Sequence, residues 1–448
     1  MALTGIQIFK LLPKTNCKEC GVPTCLAFAM NLAAGKAELA SCPYVSEETK
    51  AMLSEASAPP IRPLMIGSGE NIVKIGGETV LFRHEKTFVN KPGFGILISD
   101  SMPDSEIDNR LKRFNALKYE RVGLILRPEM IALKNESGDP EKFEALVKKV
   151  KSETDAALIL MSGKVEALTK GVKACADRIP LIYAATDGNL EALTNLAKEN
   201  KCPLAVKAND IETLSGLAEK LMTAGLKDLV LDSGSRTLRR AFEDQIFIRR
   251  AALIQKNRFL GFPTITFPCE MTEDPMKETL IAATFVAKYA GIIILSDFQG
   301  ESLFPLLVER LNIYTDPQRP MMMQQGIYPI GNPTETSPVL ITTNFSLTYF
   351  IVSAEIESSR VPSWLLVMDT EGLSVLTAWA AGKFVGDAMG AFIKKSGIID
   401  KVTHRRVIIP GAVAVISGDL EEELGSGWEV KIGPREAAHL TAYLKMGT

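Results

Sequence analysis

The chain has 448 residues, 46% of them hydrophobic and 23% charged, with a formal net charge of -2. That length exceeds one ordinary core and predicts two or three domains, while the near-neutral charge gives no broad positive field and argues against nucleic acid or anionic lipid as a primary partner. The first residues lack a basic stretch and a small-residue cleavage site, and the most apolar later run, Leu280 to Leu295, is interrupted by Lys288, so the chain is expected in the cytoplasm.

Thr4 and Gln7 read as a capping box opening a short helix, Ile6 to Leu12, which Pro13 ends. A second helix is expected from Cys25 to about Ala37. The run Ser54 to Pro63 is too rich in proline to continue either element and reads as a linker, closing a first domain over residues 1–57. Residues 58–92 hold that linker and a β-hairpin whose strands, Asn71–Ile75 and Thr79–Arg83, are joined through Gly76 and Gly77.

From residue 93 the pattern becomes short apolar runs, each followed by an amphipathic stretch of helix length. The runs are Phe94–Ser99, Val122–Leu126, Ala157–Met161, Leu181–Ala184, Leu204–Lys207, Leu229–Asp232, Thr264–Phe267 and Ile292–Ser296. They lack polar alternation, as parallel strands buried on both faces do. Eight such units predict a (β/α)8 TIM barrel over 93–315, with an open doubly wound sheet as the competing arrangement. The stretch Tyr314 to Pro338 carries five prolines, so residues 316–337 are expected to form an extended linker wrapped over the barrel. Strand-like runs Val339–Thr343, Leu365–Asp369, Val407–Pro410 and Val430–Gly433 then predict a Rossmann-like unit over 338–448. The fold class is thus multidomain α/β.

Of seven cysteines, Cys17, Cys20, Cys25 and Cys42 crowd together, whereas Cys175, Cys202 and Cys269 stand alone. A disulfide framework would spread them more evenly, so the cluster points to a metal site in a reducing compartment. Four thiolates repel one another unless a strongly positive centre neutralises them. Structural zinc usually uses two separated Cys pairs; three ligands on one tight loop with a distant fourth suit a [4Fe–4S] cluster better. In a small tethered domain such a cluster serves as an electron relay.

In the barrel, Asp100, Asn209, Asp210, Asp232, Ser233, Cys269, Glu270 and Asp297 fall at strand ends, where they could bind a pterin or orient a proton. Ordinary helix capping explains the same residues. In the last unit, Thr342-Thr343-Asn344, Asp369-Thr370-Glu371-Gly372, Pro410-Gly411-Ala412-Val413-Ala414 and Gly433-Pro434-Arg435-Glu436 gather hydroxyls, glycines and backbone N–H groups at one sheet edge. Such an edge suits a large cofactor, though turn chemistry alone would also produce it. Only His84, His404 and His439 exist, so a cofactor metal there would find no imidazole from this chain at the carboxyl edge.

The cysteine motif, the barrel and the His-poor unit bearing Asp369-Thr-Glu-Gly372 and Pro410-Gly-Ala-Val-Ala414 together resemble the large (gamma) subunits of corrinoid iron–sulfur proteins of the reductive acetyl-CoA (Wood–Ljungdahl) pathway. The resemblance spans essentially the whole chain. It implies a cobamide held at an interface with a small subunit, its cobalt accepting a methyl group from methyltetrahydrofolate through a methyltransferase and donating it to acetyl-CoA synthase/CO dehydrogenase. By the same resemblance, Cys17, Cys20, Cys25 and Cys42 would bind the cluster, fed by a donor such as ferredoxin and returning oxidised cobalt to Co(I). The segments Thr342–Asn344, Thr370–Leu373 (Thr370, Glu371, Gly372, Leu373), Gly411–Ala414 and Gly433–Glu436 would line a base-off corrinoid without a protein His ligand. An alternative is that the barrel is itself a methylpterin:corrinoid methyltransferase acting through residues such as Asn209 and Asp232. A plain electron carrier is the third class; an ATP-coupled activator would need a phosphate loop, and the sequence has no G-x4-G-K-[ST].

Overall fold

The computed structural model describes residues 5–33, 37, 39–46, 49, 59–121, 123–316 and 321–446. They fall into two compact units, one of residues 1–81, 88–116 and 128–313, the other of residues 82–87, 117–127 and 314–448. Thr4 and the proposed domain boundary at residue 57 lie outside the described residues.

The first unit begins with helices Gly5–Leu11 and Cys25–Ala33, which share a small core of Ile8, Leu12, Phe28, Ala29 and Val45 with the Cys25 and Cys42 side chains. A hairpin of β1 (Leu64–Ile66) and β2 (Val73–Ile75) follows. Then β3 (Gly93–Ser99) opens the barrel.

After β3 the chain forms a separate two-stranded hairpin, β4 (Tyr119–Arg121) and β5 (Leu124–Leu126), which belongs to the second unit. The remaining barrel strands are β6 (Met130–Lys134), β7 (Ala157–Met161), β8 (Leu181–Ala185), β9 (Leu204–Lys207), β10 (Leu229–Asp232), β11 (Ile265–Thr266) and β12 (Ile292–Leu295). All pair in parallel in the order β10-β9-β8-β7-β6-β3-β12-β11, and a parallel bridge between Leu231 and Thr264 joins the two ends. The eight-stranded ring is the expected (β/α)8 arrangement. Ala157-Leu-Ile-Leu-Met161 is buried at every position, which is why these strands read as unbroken apolar runs.

The β1–β2 hairpin closes the amino-terminal end of the barrel: Leu64, Ile66, Val73 and Ile75 share one core with Met130, Ala157, Leu181, Ala205 and Ile292. At the same end Arg310, 1% exposed, holds Glu129 through bonds of 2.8 and 2.7 Å and donates to the Pro92 carbonyl at 2.8 Å. Burial alone would raise the Glu129 pKa, but the Arg310 guanidinium and Lys91 hold it below the ordinary carboxylate value. That leaves the opposite, carboxyl-end mouth for chemistry.

The second unit is a five-stranded sheet in the order β13-β15-β14-β16-β17, with β13 (Gly326–Ile330) antiparallel and β14 (Val339–Thr343), β15 (Ser363–Met368), β16 (Arg406–Ile409) and β17 (Glu429–Ile432) parallel. The chain runs from β14 outward to β15 and returns on the other side to β16. The strand order therefore reverses between β14 and β16, the kind of point at which open α/β sheets bind ligands.

Three sequence expectations change. Of the expected strand Val122–Leu126, residue 122 lies outside the described residues and the rest is not a barrel strand: Gly123 sits at φ 73°, and Leu124–Leu126 pairs with Tyr119–Arg121, with Leu124 and Ile125 exposed. The second barrel strand is β6, masked in sequence by Pro128 and Glu129 before it. The N-terminal hairpin uses Leu64–Ile66, not Thr79–Arg83; Gly76 and Gly77, at φ 74° and 84°, turn the chain away from a second strand. Within the expected linker 316–337, Gly326–Ile330 is an edge strand, and Pro329 is tolerated there because an edge needs no ladder N–H on its outer side.

Candidate cofactor sites

The loop before Cys25 takes an unusual backbone course, with Lys14, Asn16, Lys18 and Gly21 all in the left-handed region at φ 59°, 50°, 68° and 81°. Alternating left- and right-handed residues turn successive N–H groups toward one side, a shape that cradles anionic sulfur or oxygen. The Asn16 side chain locks the turn by accepting from the Cys25 N–H at 2.8 Å, and the Asn16 N–H reaches the Cys25 sulfur at 3.4 Å. Cys25 and Cys42 are buried in the same small core, Cys20 packs against it, and all four thiols are free. As placed, no three His, Cys, Asp or Glu side chains among the described residues converge on one point. The donor set still fits an iron–sulfur group: Cys17 and Cys20 lie on the loop, Cys25 at its end with the Asn16 N–H on its sulfur, and Cys42 in the core that Cys25 shares. Tyr44, bonded to Glu19 at 2.7 Å, lies close enough to feel Cys17 and Cys42, and its pKa is raised by Glu19 first and by those thiols last.

At the carboxyl edge of the second unit's sheet, a cleft of about 140 Å³ opens at the β14/β16 reversal. Thr342, Pro410, Ala412, Gly433, Pro434 and Arg435 line it together with Thr348, Val375 and Leu440. The volume is below that of a drug-sized pocket, so it takes one edge of a large ligand rather than the whole. Thr342 and Thr343 are 1% and 0% exposed, and neither hydroxyl has a hydrogen-bond partner among the described residues. Unpaired buried hydroxyls are costly, which fits donors waiting for a ligand.

Gly411 and Gly433 let the two loops beside the cleft touch: the Gly411 N–H donates to the Pro434 carbonyl at 3.1 Å, and a Cβ on Gly411 would fall 2.3 Å from the Gly433 carbonyl oxygen. Gly411→Ala is therefore expected to spread these loops at a cost of about 1–3 kcal/mol, as read from denaturant unfolding.

Next to the cleft, Asn344 organises the β15 loop. Its Oδ1 accepts from the N–H groups of Thr370 and Gly372, both at 3.0 Å, and from the Thr370 hydroxyl at 3.2 Å, while its Nδ2 donates to Asp369 at 2.9 Å. Glu371 and Gly372 turn at φ 57° and 74°, presenting consecutive left-handed residues at the edge.

The barrel mouth forms its own network. Asp232, 1% exposed, binds Arg236 at 2.9 and 3.1 Å and accepts from the Tyr183 hydroxyl, and Glu270 takes the other side of Arg236. Burial first, then Asp232, drives the Tyr183 pKa well above its usual value, so the phenol stays protonated. Asp100 is fixed by Ser137, Asn135 and the Glu136 N–H at 2.6–2.8 Å; burial would raise its pKa, but these bonds lower it overall. Asp210 caps the helix Ile211–Thr223.

Residues 63–444 match the family described as CO dehydrogenase/acetyl-CoA synthase delta subunit, and residues 12–44 match a putative Fe–S cluster family. The chain is 46% identical to the corrinoid/iron-sulfur protein large subunit of Moorella thermoacetica, over 99% of both chains. It belongs to the corrinoid/iron–sulfur large-subunit family. The acetyl-CoA decarbonylase/synthase complex subunit gamma of Methanopyrus kandleri is 37% identical over 99% of this chain and 97% of its own length. A Yersinia pestis dihydropteroate synthase with a pterine-sulfa conjugate is 13% identical, with a TM-score of 0.38, over 50% of this chain and 95% of its own, a likeness too loose to carry a functional argument.

For a large subunit of this family, the geometry sorts the sequence-predicted edge residues. Thr342, Ala412, Gly433, Pro434 and Arg435 meet at one cleft, and Gly411 permits it. Asn344 is consumed in holding Thr370 and Gly372. Val413 lies wholly in the core and Leu373 packs against it, Glu371 pairs with Lys383, Ala414 is half-buried, and Glu436 is exposed. Sequence reasoning missed Gln325, whose Oε1 accepts the Asp369 N–H at 3.0 Å, and Tyr183 and Arg236 in the barrel. Arg236 was findable, lying four residues after Asp232. Both ring nitrogens of His404 are engaged, one with the Ser337 carbonyl at 2.9 Å and the other accepting the Arg406 N–H at 3.2 Å.

No helix among the described residues is long and apolar enough to cross a membrane.

Proposed function

We propose that this chain is a methyl carrier: the large subunit of a two-subunit corrinoid protein that takes a methyl group from a methyltetrahydrofolate:corrinoid methyltransferase and gives it to acetyl-CoA synthase. When bound, the cobamide supplies a nucleophilic cobalt, and the [4Fe–4S] cluster supplies low-potential electrons that return oxidised cobalt to its active state. Cys17, Cys20, Cys25 and Cys42 hold the cluster, which receives its electrons from a donor such as ferredoxin. Thr342 and Thr343 offer hydroxyls to the cofactor, the internally braced Thr370–Leu373 loop and Gly411–Ala414 border it, and Gly433–Glu436 forms the far wall.

The observation that carries this reading is the cleft at the β14/β16 reversal with the unpartnered buried hydroxyl of Thr342 in its wall. The engaged His404 favours a base-off cobamide without a protein imidazole, which eases reduction because the cobalt lacks a strong axial donor. The methyltransferase reading has less support: Asp232 is spent on Arg236 and Tyr183, and Asn209 does not line the mouth pocket.

The visible spectrum of the anaerobically purified chain with its small partner subunit tests this. Corrinoid bands together with iron and sulfide are expected. Iron without corrinoid would make the chain a plain electron carrier, and stoichiometric zinc without iron would remove the redox role.

A further inference from the structure

The pocket at the carboxyl-end mouth of the barrel holds about 300 Å³ and is lined by Lys134, Met161, Tyr183, Ala184, Lys207 and Arg236, among others. Its polar wall is almost entirely satisfied from within. Asn135 accepts from Ser162 at 2.9 Å and donates to Asp100 at 2.6 Å. Asn189 accepts from the Thr186 N–H at 2.7 Å and donates to the Ala184 carbonyl at 3.3 Å. Tyr183 donates to Asp232 and accepts from Arg236 at 3.1 Å, and Arg236 is itself flanked by Asp232 and Glu270.

Lys207 is the exception. It ends β9, half-buried in the pocket wall, and has no hydrogen bond or ion pair among the described residues. Lys134, at the end of β6, has only Glu136 at 3.5 Å, and Glu136 is half exposed. The order β6-β7-β8-β9 places the two lysines on opposite sides of a two-strand span, roughly 14 Å apart along the ring. Among the lining side chains Arg236 is balanced by Asp232 and Glu270 and Lys134 by Glu136, which leaves Lys207 as the cation of this wall without a counter-ion among the described residues. A partly desolvated ammonium without a counter-ion in a concave wall attracts an anion, and low-dielectric walls focus its field. Met161 and Ala184 add an apolar patch beside it.

We propose that the barrel mouth is a binding site for a small oxyanion-bearing metabolite, a phosphate ester or polycarboxylate, anchored by Lys207 and steered by Lys134, with Arg236 fixed as part of the rigid wall. This site shares no lining residue with the cofactor cleft and goes beyond the carrier reading, so neither stands or falls with the other.

Calorimetric titration of the full chain at low ionic strength, with pyrophosphate and citrate as separate probes, tests it. Saturable single-site binding of one or both is expected, pyrophosphate alone indicating a phosphate ester and citrate alone a polycarboxylate. Lys207→Ala should weaken that binding about tenfold and Lys207→Arg should restore most of it, while Lys173→Ala, on an exposed helix position, should leave it unchanged. Lys207 is not in the closed core, so circular dichroism of the variant should match the parent. No saturable binding of either probe, or equal binding by the parent and Lys207→Ala, overturns the proposal.

Discussion

Alanine at Cys20 should empty the cluster site while leaving the rest of the protein folded. Cys25 and Cys42 are buried in the core shared by the two N-terminal helices, so truncating either would also remove packing. Cys20 only packs against that core, and its loss is expected to cost little beyond a ligand. Bound iron and acid-labile sulfide should fall to about a tenth of the parent or less, because a four-thiolate set with one member missing no longer closes around the cluster. Methyl transfer from freshly reduced protein should stay within about twofold of the parent, whereas recovery from the oxidised form should fall at least about a hundredfold, since electron supply and cofactor tuning act at different sites. Equal loss in both assays would make the cluster a structural element instead of an electron relay.

The parts of this fold legible in sequence were those set by local periodicity. Seven of the eight barrel strands announce themselves as short apolar runs because both faces are buried, and the parallel strands of the second unit do so for the same reason. The errors arose where pairing partners are chosen by tertiary contacts. Val122–Leu126 has better strand composition than Met130–Lys134, yet Gly123 at φ 73° turns it into a hairpin that belongs to the other unit. Likewise Gly76 and Gly77 look like a hairpin turn, but Val73–Ile75 pairs backward with Leu64–Ile66, whose apolar residues the barrel core needs. At the candidate sites, the four cysteines and the glycine-rich strand ends were visible from spacing alone. The division of labour among the edge residues was not: nothing local distinguishes Thr342, with a free hydroxyl, from Asn344, whose side chain is committed to the neighbouring loop.

That commitment makes Asn344→Ala the most damaging expected change in the second unit. Asn344 is 3% exposed, and alanine removes the acceptor shared by the Thr370 N–H, the Gly372 N–H and the Thr370 hydroxyl. Thr370 and Gly372 are themselves buried, so two backbone donors lose their partner away from water. At about 1–3 kcal/mol for each stranded group, the unit should be destabilised by about 3–5 kcal/mol in urea unfolding. The loop should also lose its course, because Glu371 at φ 57° is held in a left-handed conformation that a non-glycine residue adopts only when its surroundings enforce it. Bound cobalt should then fall at least about tenfold relative to iron, since the loop beside the cleft no longer keeps its pre-organised shape. Asn344→Asp separates the two effects: it keeps the acceptor for Thr370 and Gly372 but sets a carboxylate where Nδ2 now meets Asp369 at 2.9 Å, so part of the stability and part of the cobalt should return. A destabilised Asn344→Ala protein that kept its cobalt-to-iron ratio would show that the loop is braced by Asn344 without contributing to cofactor retention.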